Sequence, residues 1–284
     1  MLIALVMISC LIMYILFRQE TQIEFMNNYK IPKKIWTFWD GELTETIKLC
    51  IDSWRKHNSD YEIVILNKEN IDKYLPDFDF KNLKHADDIR HFSDIIRLHI
   101  IEKYGGIWSD ASIICYNSYD WILDIQQEKQ IDFVGYWINN DIPYSPVIEN
   151  WFFATAPNST MITDWKNELM ESQNYDNRDD YINYLLDNCN AEKVNGPSYL
   201  WMHVAMQKLL QENKGKYKYE LFPATNAPFK YLEDNDWDNQ KAIADLIRCN
   251  NENTCKDKYG SFIKMTGRQR VFFDEMDNKQ RFFK

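Results

Sequence analysis

A chain of 284 residues with 45% hydrophobic and 15% aromatic side chains can bury one sizeable core, or a core with a small added lobe. Its formal net charge of -10 excludes broad, salt-sensitive attachment to a phosphate backbone, which takes a concentrated Lys and Arg surface, so nucleic acid is not an expected partner. The 6 cysteines have no metal-site spacing.

Residues 2–17 carry no charge and are followed by Arg18. A bilayer crossing takes about 20 apolar residues, with roughly 17 as the lower limit, so the run is slightly short. No small-x-small cleavage pattern follows Phe17. The expectation is an uncleaved single-pass anchor over residues 1–20, with a cleaved signal peptide or a buried core helix as the alternatives, then a linker over 21–30 and a folded domain over 31–284. Orientation is poorly set, because no basic residue precedes the run and Glu20 and Glu24 soon offset Arg18.

Residues 34–39 read as a strand, 44–57 as an amphipathic helix with Ile47, Ile51 and Trp54 on one stripe, and 61–66 as a second strand. Asn67 can cap a short helix that stops before Pro76. A helix over 88–104 and a strand ending at Asp110 come next, then apolar strands over 133–136 and 151–155. Beyond them the pattern is mostly helical, notably 161–171 and 199–212. A βαβα beginning followed by helices predicts an α/β sandwich with a helical lobe. Cys249 and Cys255 flank a polar loop, where they either close a small disulfide in an oxidising compartment or remain free thiols.

The most informative stretch is 91–113. Asp94 and Arg97 stand at i and i+3, so a helix projects them from one face as an acceptor and a donor. Gly105 and Gly106 suit a helix end followed by a tight turn. Ile107 and Trp108 then read as a short buried strand, and Asp110 falls at its end, where open α/β sheets place ligand-contacting groups.

The segment SDIIRLHIIEKYGGIWSDAS resembles the signature of the capsular polysaccharide synthesis and DXD sugar-binding glycosyltransferases, which are similar to retaining nucleotide-sugar transferases of the yeast and animal Golgi and of clostridial toxins. IPKKIWTFWDG (31–41) resembles the first strand of that family, and CIDSWRKHNSDYEIVILNKENI (50–71) the helix and strand that follow. SPVIENWFFATAPNS (145–159), SYLWMH (198–203) and SFIKMT (261–266) keep the family order. The resemblance implies a GT-A, Rossmann-like α/β/α sandwich with added helices. It also implies a retaining, hexosyltransferase-like enzyme that takes a UDP- or GDP-sugar donor and a glycan acceptor. With residues 2–17 in a membrane, it implies a lumenal domain of Golgi or ER type, or a place at a cell envelope or in a viral context.

Site residues follow from the same match. Trp39 falls where the family stacks the donor base; its alternative, a core Trp, suits Trp36 better because neighbouring strand positions face opposite sides. Asp94 and Arg97 match the pair that binds donor sugar hydroxyls and steadies the phosphate side, against a surface ion pair worth a few tenths of a kcal/mol. Asp110 matches the first Asp of DXD. The resemblance implies a divalent cation there, Mn²⁺ or Mg²⁺, yet the second carboxylate is replaced by Ser112, a weaker ligand for a hard cation. The family His before Lys-Leu-Thr is also replaced, by Ile263. Lys264, Arg268 and Arg270 form a basic cluster, and Lys264 is expected to take part of the work of a metal by offsetting diphosphate charge; the alternative is a solvated basic tail. His203 matches a family His that contacts acceptor or phosphate, or else packs in a helix. Two other functions stay open: a glycan- or nucleotide-sugar-binding protein without turnover, and a glycoside hydrolase using Asp94 and Asp110, which Arg97 opposes by keeping Asp94 ionised.

Overall fold

The computed structural model describes residues 7, 10–18, 30–142, 144–249 and 251–275. Among them no helix is long and apolar enough to cross a membrane, which corrects the single-pass anchor and the membrane localisation expected from residues 2–17. Residues 7 and 10–18 are helical and exposed. Residues 1–6, 8, 9, 19 and 20 of the expected anchor, 21–29 of the linker, and 143, 250 and 276–284 of the expected domain lie outside the described residues.

Strand β1 (Lys34–Phe38) leads into α1 (Glu45–His57), whose first turn is closed by the Thr44 hydroxyl accepting from the Ile47 amide. The stripe of Ile47, Ile51 and Trp54 is buried as its spacing predicts. After β2 (Glu62–Leu66), the Asn67 side chain accepts from the Glu69 and Asn70 amides, and the expected short helix is one 3-10 turn, Ile71–Lys73. Helix α2 (Ile89–Tyr104) starts at Asp88, which accepts from the Arg90 amide at 2.9 Å, and ends at Gly105 with φ 60. Strand β3 (Gly106–Ser109) begins at once.

The strands and α-helices that follow among the described residues are β4 (Ile113–Cys115), α3 (Asp120–Lys129), β5 (Phe133–Asn139), β6 (Val147–Thr155), α4 (Thr160–Met170), α5 (Arg178–Asn188), α6 (Trp201–Glu212), β7 (Tyr219–Pro223), α7 (Lys230–Glu233), α8 (Asn239–Arg248), α9 (Glu252–Tyr259), β8 (Phe262–Lys264) and α10 (Gly267–Asp274). The later chain is therefore not only helical. Strand β7 forms an edge of the main sheet, and β8 pairs with β4 in a second, two-stranded sheet.

The main sheet has the order β2-β1-β3-β6-β5-β7. β1 runs parallel to β2 and β3, and β5 parallel to β7, while β6 lies antiparallel to β3 and β5. Successive side chains alternate between the two faces. Ile35, Ile107 and Phe152 join a core with α1, α8 and α9; Trp36, Trp108 and Phe153 join a second core with α2, α4, α5 and α6. The result is a mixed α/β fold with helices on both faces of the sheet. All 6 cysteines are free, and Cys249 and Cys255 are buried thiols.

Gly105 and Gly106 make the turn from α2 into the sheet possible. Gly106 has φ 100, and a Cβ there would lie 2.6 Å from the Lys34 carbonyl on β1. Only a residue without a side chain lets β3 approach β1 this closely.

Candidate active site

A cavity of about 640 Å³ opens beyond the C-terminal ends of the parallel strands β1 and β3, where open α/β sheets bind ligands. Its volume lies in the range typical of small-molecule sites. Trp39 and Asp40 follow β1 on its rim, and Asp110, Ala111 and Ser112 follow β3. Because β6 runs antiparallel, with Ser109 beside Phe152, its residues Glu149, Asn150 and Trp151 reach the same rim. Lys264 arrives from β8, and His203 from α6.

Asp94 and Arg97 are buried one helical turn apart, with Arg97 Nη2 3.3 Å from Asp94 Oδ1 and 3.6 Å from Asp110 Oδ1. Arg97 Nη1 donates to the Asn150 carbonyl at 2.5 Å, and the guanidinium lies over the Trp108 ring at 4.9 Å. One Arg therefore joins two carboxylates from a helix and a strand end, as the spacing around Gly105 and Gly106 predicts. Asp94 also accepts from Trp201 Nε1 at 2.9 Å and Asn150 Nδ2 at 3.2 Å. Burial pushes its carboxyl above the usual carboxylate range, while Arg97 and Trp201 pull against that shift. The sequence argument that Arg97 keeps Asp94 ionised thus leaves out the opposing effect of burial. Even so, each of these neighbours is a donor, an arrangement that satisfies a carboxylate and gives a carboxylic proton no acceptor.

Lys264 Nζ donates to Asp110 Oδ2 at 2.9 Å and to Ser112 Oγ at 2.8 Å. Ser112 in turn donates to the Met265 carbonyl at 2.8 Å. Burial opposes ionisation of Asp110, but Lys264 and Arg97 outweigh it and hold the carboxyl below its usual range. Lys264 is lowered by burial, with Asp110 acting in the opposite direction.

Trp36 is fully buried and donates its indole N–H to the Gly105 carbonyl at 2.9 Å, whereas Trp39 is half-buried and lines the cavity. Trp39 is bonded to the Glu42 carbonyl at 3.2 Å, and the Arg270 guanidinium lies over its ring at 5.4 Å. Arg268 is exposed and does not line the cavity. His203 is buried with Nε2 3.5 Å from Glu149 Oε2. Its Nδ1 and Arg97 Nε have no partner among the described residues. Glu149, Asn150, Trp201, Arg90 and Lys193 were not predicted. The one available signal was the polar pair Glu149-Asn150 inside the apolar run VIENWFFAT.

Asp110 and Ser112 do not fit a divalent cation. A hard cation of this class collects six or more oxygen ligands, usually with carboxylates among them. Here the single carboxylate has Lys264 on one oxygen and Arg97 near the other, and the hydroxyl is already engaged with Lys264 and Met265. Among the described residues no group of three or more His, Cys, Asp or Glu is placed to hold a metal.

Comparison with known proteins assigns the chain. Residues 14–256 match the family described as capsular polysaccharide synthesis protein. The chain belongs to this family. No curated protein matches this capsular polysaccharide synthesis family member. Among solved structures it is similar to PaToxG glycosyltransferase, at 18% identity over 90% of this chain and 89% of that one, with a TM-score of 0.37. It is also similar to the UDP-bound glycosyltransferase domain from the YGT toxin, at 10% identity, 88% and 95% coverage and a TM-score of 0.42. A third is the galactosyltransferase LgtC in complex with donor and acceptor sugar analogs, at 10% identity, 82% and 87% coverage and a TM-score of 0.42.

Proposed function

We propose that this capsular polysaccharide synthesis family member is a glycosyltransferase that moves a hexose from a nucleoside-diphosphate donor to a glycan hydroxyl with retention of anomeric configuration. Residues 31–284 form its catalytic domain. One observation carries the reading: the side chains singled out from the sequence, from positions 39 to 264, meet around one cavity at the strand ends.

Trp39 stacks on the base. Asp94 accepts from donor sugar hydroxyls, and Arg97 steadies both that carboxylate and the phosphate side. Asp110 with Lys264 lies at the diphosphate, and His203 with Glu149 faces the acceptor. As the bond from C1 to the diphosphate oxygen breaks, the acceptor oxygen bonds to C1 on the same face, and its proton passes to the departing phosphate. Such a displacement needs no covalent nucleophile, which suits a site whose carboxylates are tied to cations. Fixed cations aimed at the developing phosphate charge lower the barrier without reorganising.

A glycoside hydrolase is disfavoured because the Arg97 guanidinium occupies the gap between Asp94 and Asp110 that substrate and water would need. Ser112 in place of a second Asp favours one other reading, a protein that binds nucleotide-sugar without turnover. Release of UDP or GDP from a panel of UDP- and GDP-sugars, with mixed oligosaccharides as acceptors, tests both. Acceptor-stimulated release supports the transferase; saturable donor binding with no release supports the second reading; neither binding nor release would sink both.

A further inference from the structure

We infer that the Lys264 ammonium takes the place of a divalent cation in this site, serving as the fixed counter-charge for the donor diphosphate, so that nucleotide binds without metal. The inference rests on the transferase reading and deepens it. A cation linking Asp110 and Ser112 would need the volume that Nζ fills at 2.9 Å and 2.8 Å from their oxygens. Displacing Lys264 while keeping it buried nearby would set an ammonium beside a dication, a repulsion that Asp110 alone cannot offset.

Lys264 is held by backbone on both sides. Strand β8 pairs it with Ile113 of β4, its amide donates to the Pro228 carbonyl at 3.1 Å, and its carbonyl accepts from the Tyr231 hydroxyl at 2.8 Å. The next residue, Met265, donates its amide to the Ser112 carbonyl at 3.0 Å. The same short sheet therefore fixes both the charge and one of its partners. This is what separates Lys264 from a solvated basic tail, since placement by a strand leaves little orientation to lose on binding.

An ammonium carries three donors. Among the described residues two are used, by Asp110 and Ser112, and Lys264 lines the cavity with the third in hand. The surrounding charge agrees: among the described residues five Lys and Arg side chains line the cavity against four carboxylates, in a chain whose net charge is -10. An anion finds here the positive balance that the rest of the molecule lacks. During transfer Lys264 keeps its proton throughout. It bonds to a phosphate oxygen whose charge grows as the C1–O bond breaks, and the acceptor proton goes to the phosphate.

The test is calorimetric titration of UDP and of GDP into the full chain, in EDTA and in Mn²⁺, together with Mn²⁺ alone monitored by its free-ion paramagnetic resonance signal. The wild-type protein should bind one nucleotide with affinities in EDTA and Mn²⁺ that agree within about twofold, and should leave the free Mn²⁺ signal unchanged. Lys264→Ala should weaken that nucleotide by about tenfold or more, the scale of one charge-assisted hydrogen bond. Lys264→Ala combined with Ser112→Asp should restore two carboxylates with no ammonium between them, and should gain saturable Mn²⁺ binding and Mn²⁺-dependent nucleotide affinity. Nucleotide binding by the wild type that collapses in EDTA overturns the inference alone, and needs no variant to fold. Unchanged affinity in Lys264→Ala overturns it as well. Absence of UDP and GDP binding under every condition removes the transferase reading, and the inference with it.

Discussion

The Trp201 indole N–H donates to Asp94 Oδ2 at 2.9 Å, linking residues 107 apart in the chain. With Asn150 on the other oxygen and Arg97 beside it, Trp201 fixes the direction in which Asp94 can accept. Trp201 is fully buried, so it acts through Asp94 as a positioning residue.

Trp201→Phe keeps an aromatic ring in the core and removes only the donor. The expected result is a stability loss of about 1–3 kcal/mol, since a buried carboxylate loses a partner. The donor kcat/KM should fall by about tenfold. Thermal unfolding and nucleotide-release kinetics measure the two effects separately; a variant with unchanged kcat/KM would show that Asp94 needs no such orientation.

The glycine pair yields a sharper structural prediction. Gly105 has φ 60, and a Cβ there would lie 2.6 Å from the Pro157 nitrogen; at Gly106 it would lie 2.6 Å from the Lys34 carbonyl. Both contacts are with backbone, which cannot swing aside as a side chain would. Gly106→Ala should therefore separate β3 from β1 and lower stability by at least about 2–3 kcal/mol, through unfavourable φ and the clash together. The comparison is Gly215→Ala, where φ is also positive, at 76, but no atom lies within 4 Å. If urea midpoints fell equally in the two variants, the close approach would not be what Gly106 is needed for.

What could be read from the sequence follows the range of the interactions. Asp94, Arg97 and Asp110 were legible because a helical repeat and a glycine turn place them within 17 residues of one another. Lys264 was picked out by the SFIKMT match, but its pairing with Asp110 was not legible, since it lies 154 residues away and its register depends on a three-residue strand, Phe262–Lys264, too short to display a period. Strand β7 escaped for a related reason: all five of its residues are half-buried and it ends in Pro223, so no alternation marks it. Glu149 and Asn150 sit in an otherwise apolar strand, where only the meeting of β6 with the rim gives polar side chains a purpose. The expected anchor was a composition argument, and among the described residues no helix is long and apolar enough to cross a membrane.

His99 supplies a pH prediction. It is half-buried in α2 with Nδ1 2.9 Å from the Ile95 carbonyl, and burial lowers its pKa below the usual imidazole value, with the Ile95 contact acting in the opposite direction. A folded pKa below the unfolded one means that the unfolded chain takes up the proton first as pH falls. The associated stability is present above about pH 6.5, the unfolded value, and is lost as pH drops towards the folded value. His99→Gln removes this titration. The decline of wild-type unfolding free energy between pH 7.5 and pH 5.5 should exceed that of the variant, with chemical denaturation at each pH as the measurement. An equal decline in both proteins would exclude the His99 contribution.

Arg97→Lys tests whether the centre of the site needs a fork or only a charge. The guanidinium serves Asp94, Asp110 and the Asn150 carbonyl at once and lies over the Trp108 ring. A lysine ammonium is a compact charge on a shorter reach, so it gives up the Asn150 carbonyl that Nη1 serves and draws back from the two carboxylates that share Nη2. If Arg97 aligns both carboxylates for transfer, kcat should fall by about a hundredfold, the scale of about 2.7 kcal/mol of lost transition-state stabilisation. Donor KM should change less, because the net charge at the position is unchanged. A purely structural role predicts the reverse pattern, a lowered melting temperature with kcat near that of the wild type. Measuring kcat well below the variant's melting temperature separates the two, and a kcat within about threefold of wild type would leave Arg97 as a packing and charge-balancing residue alone.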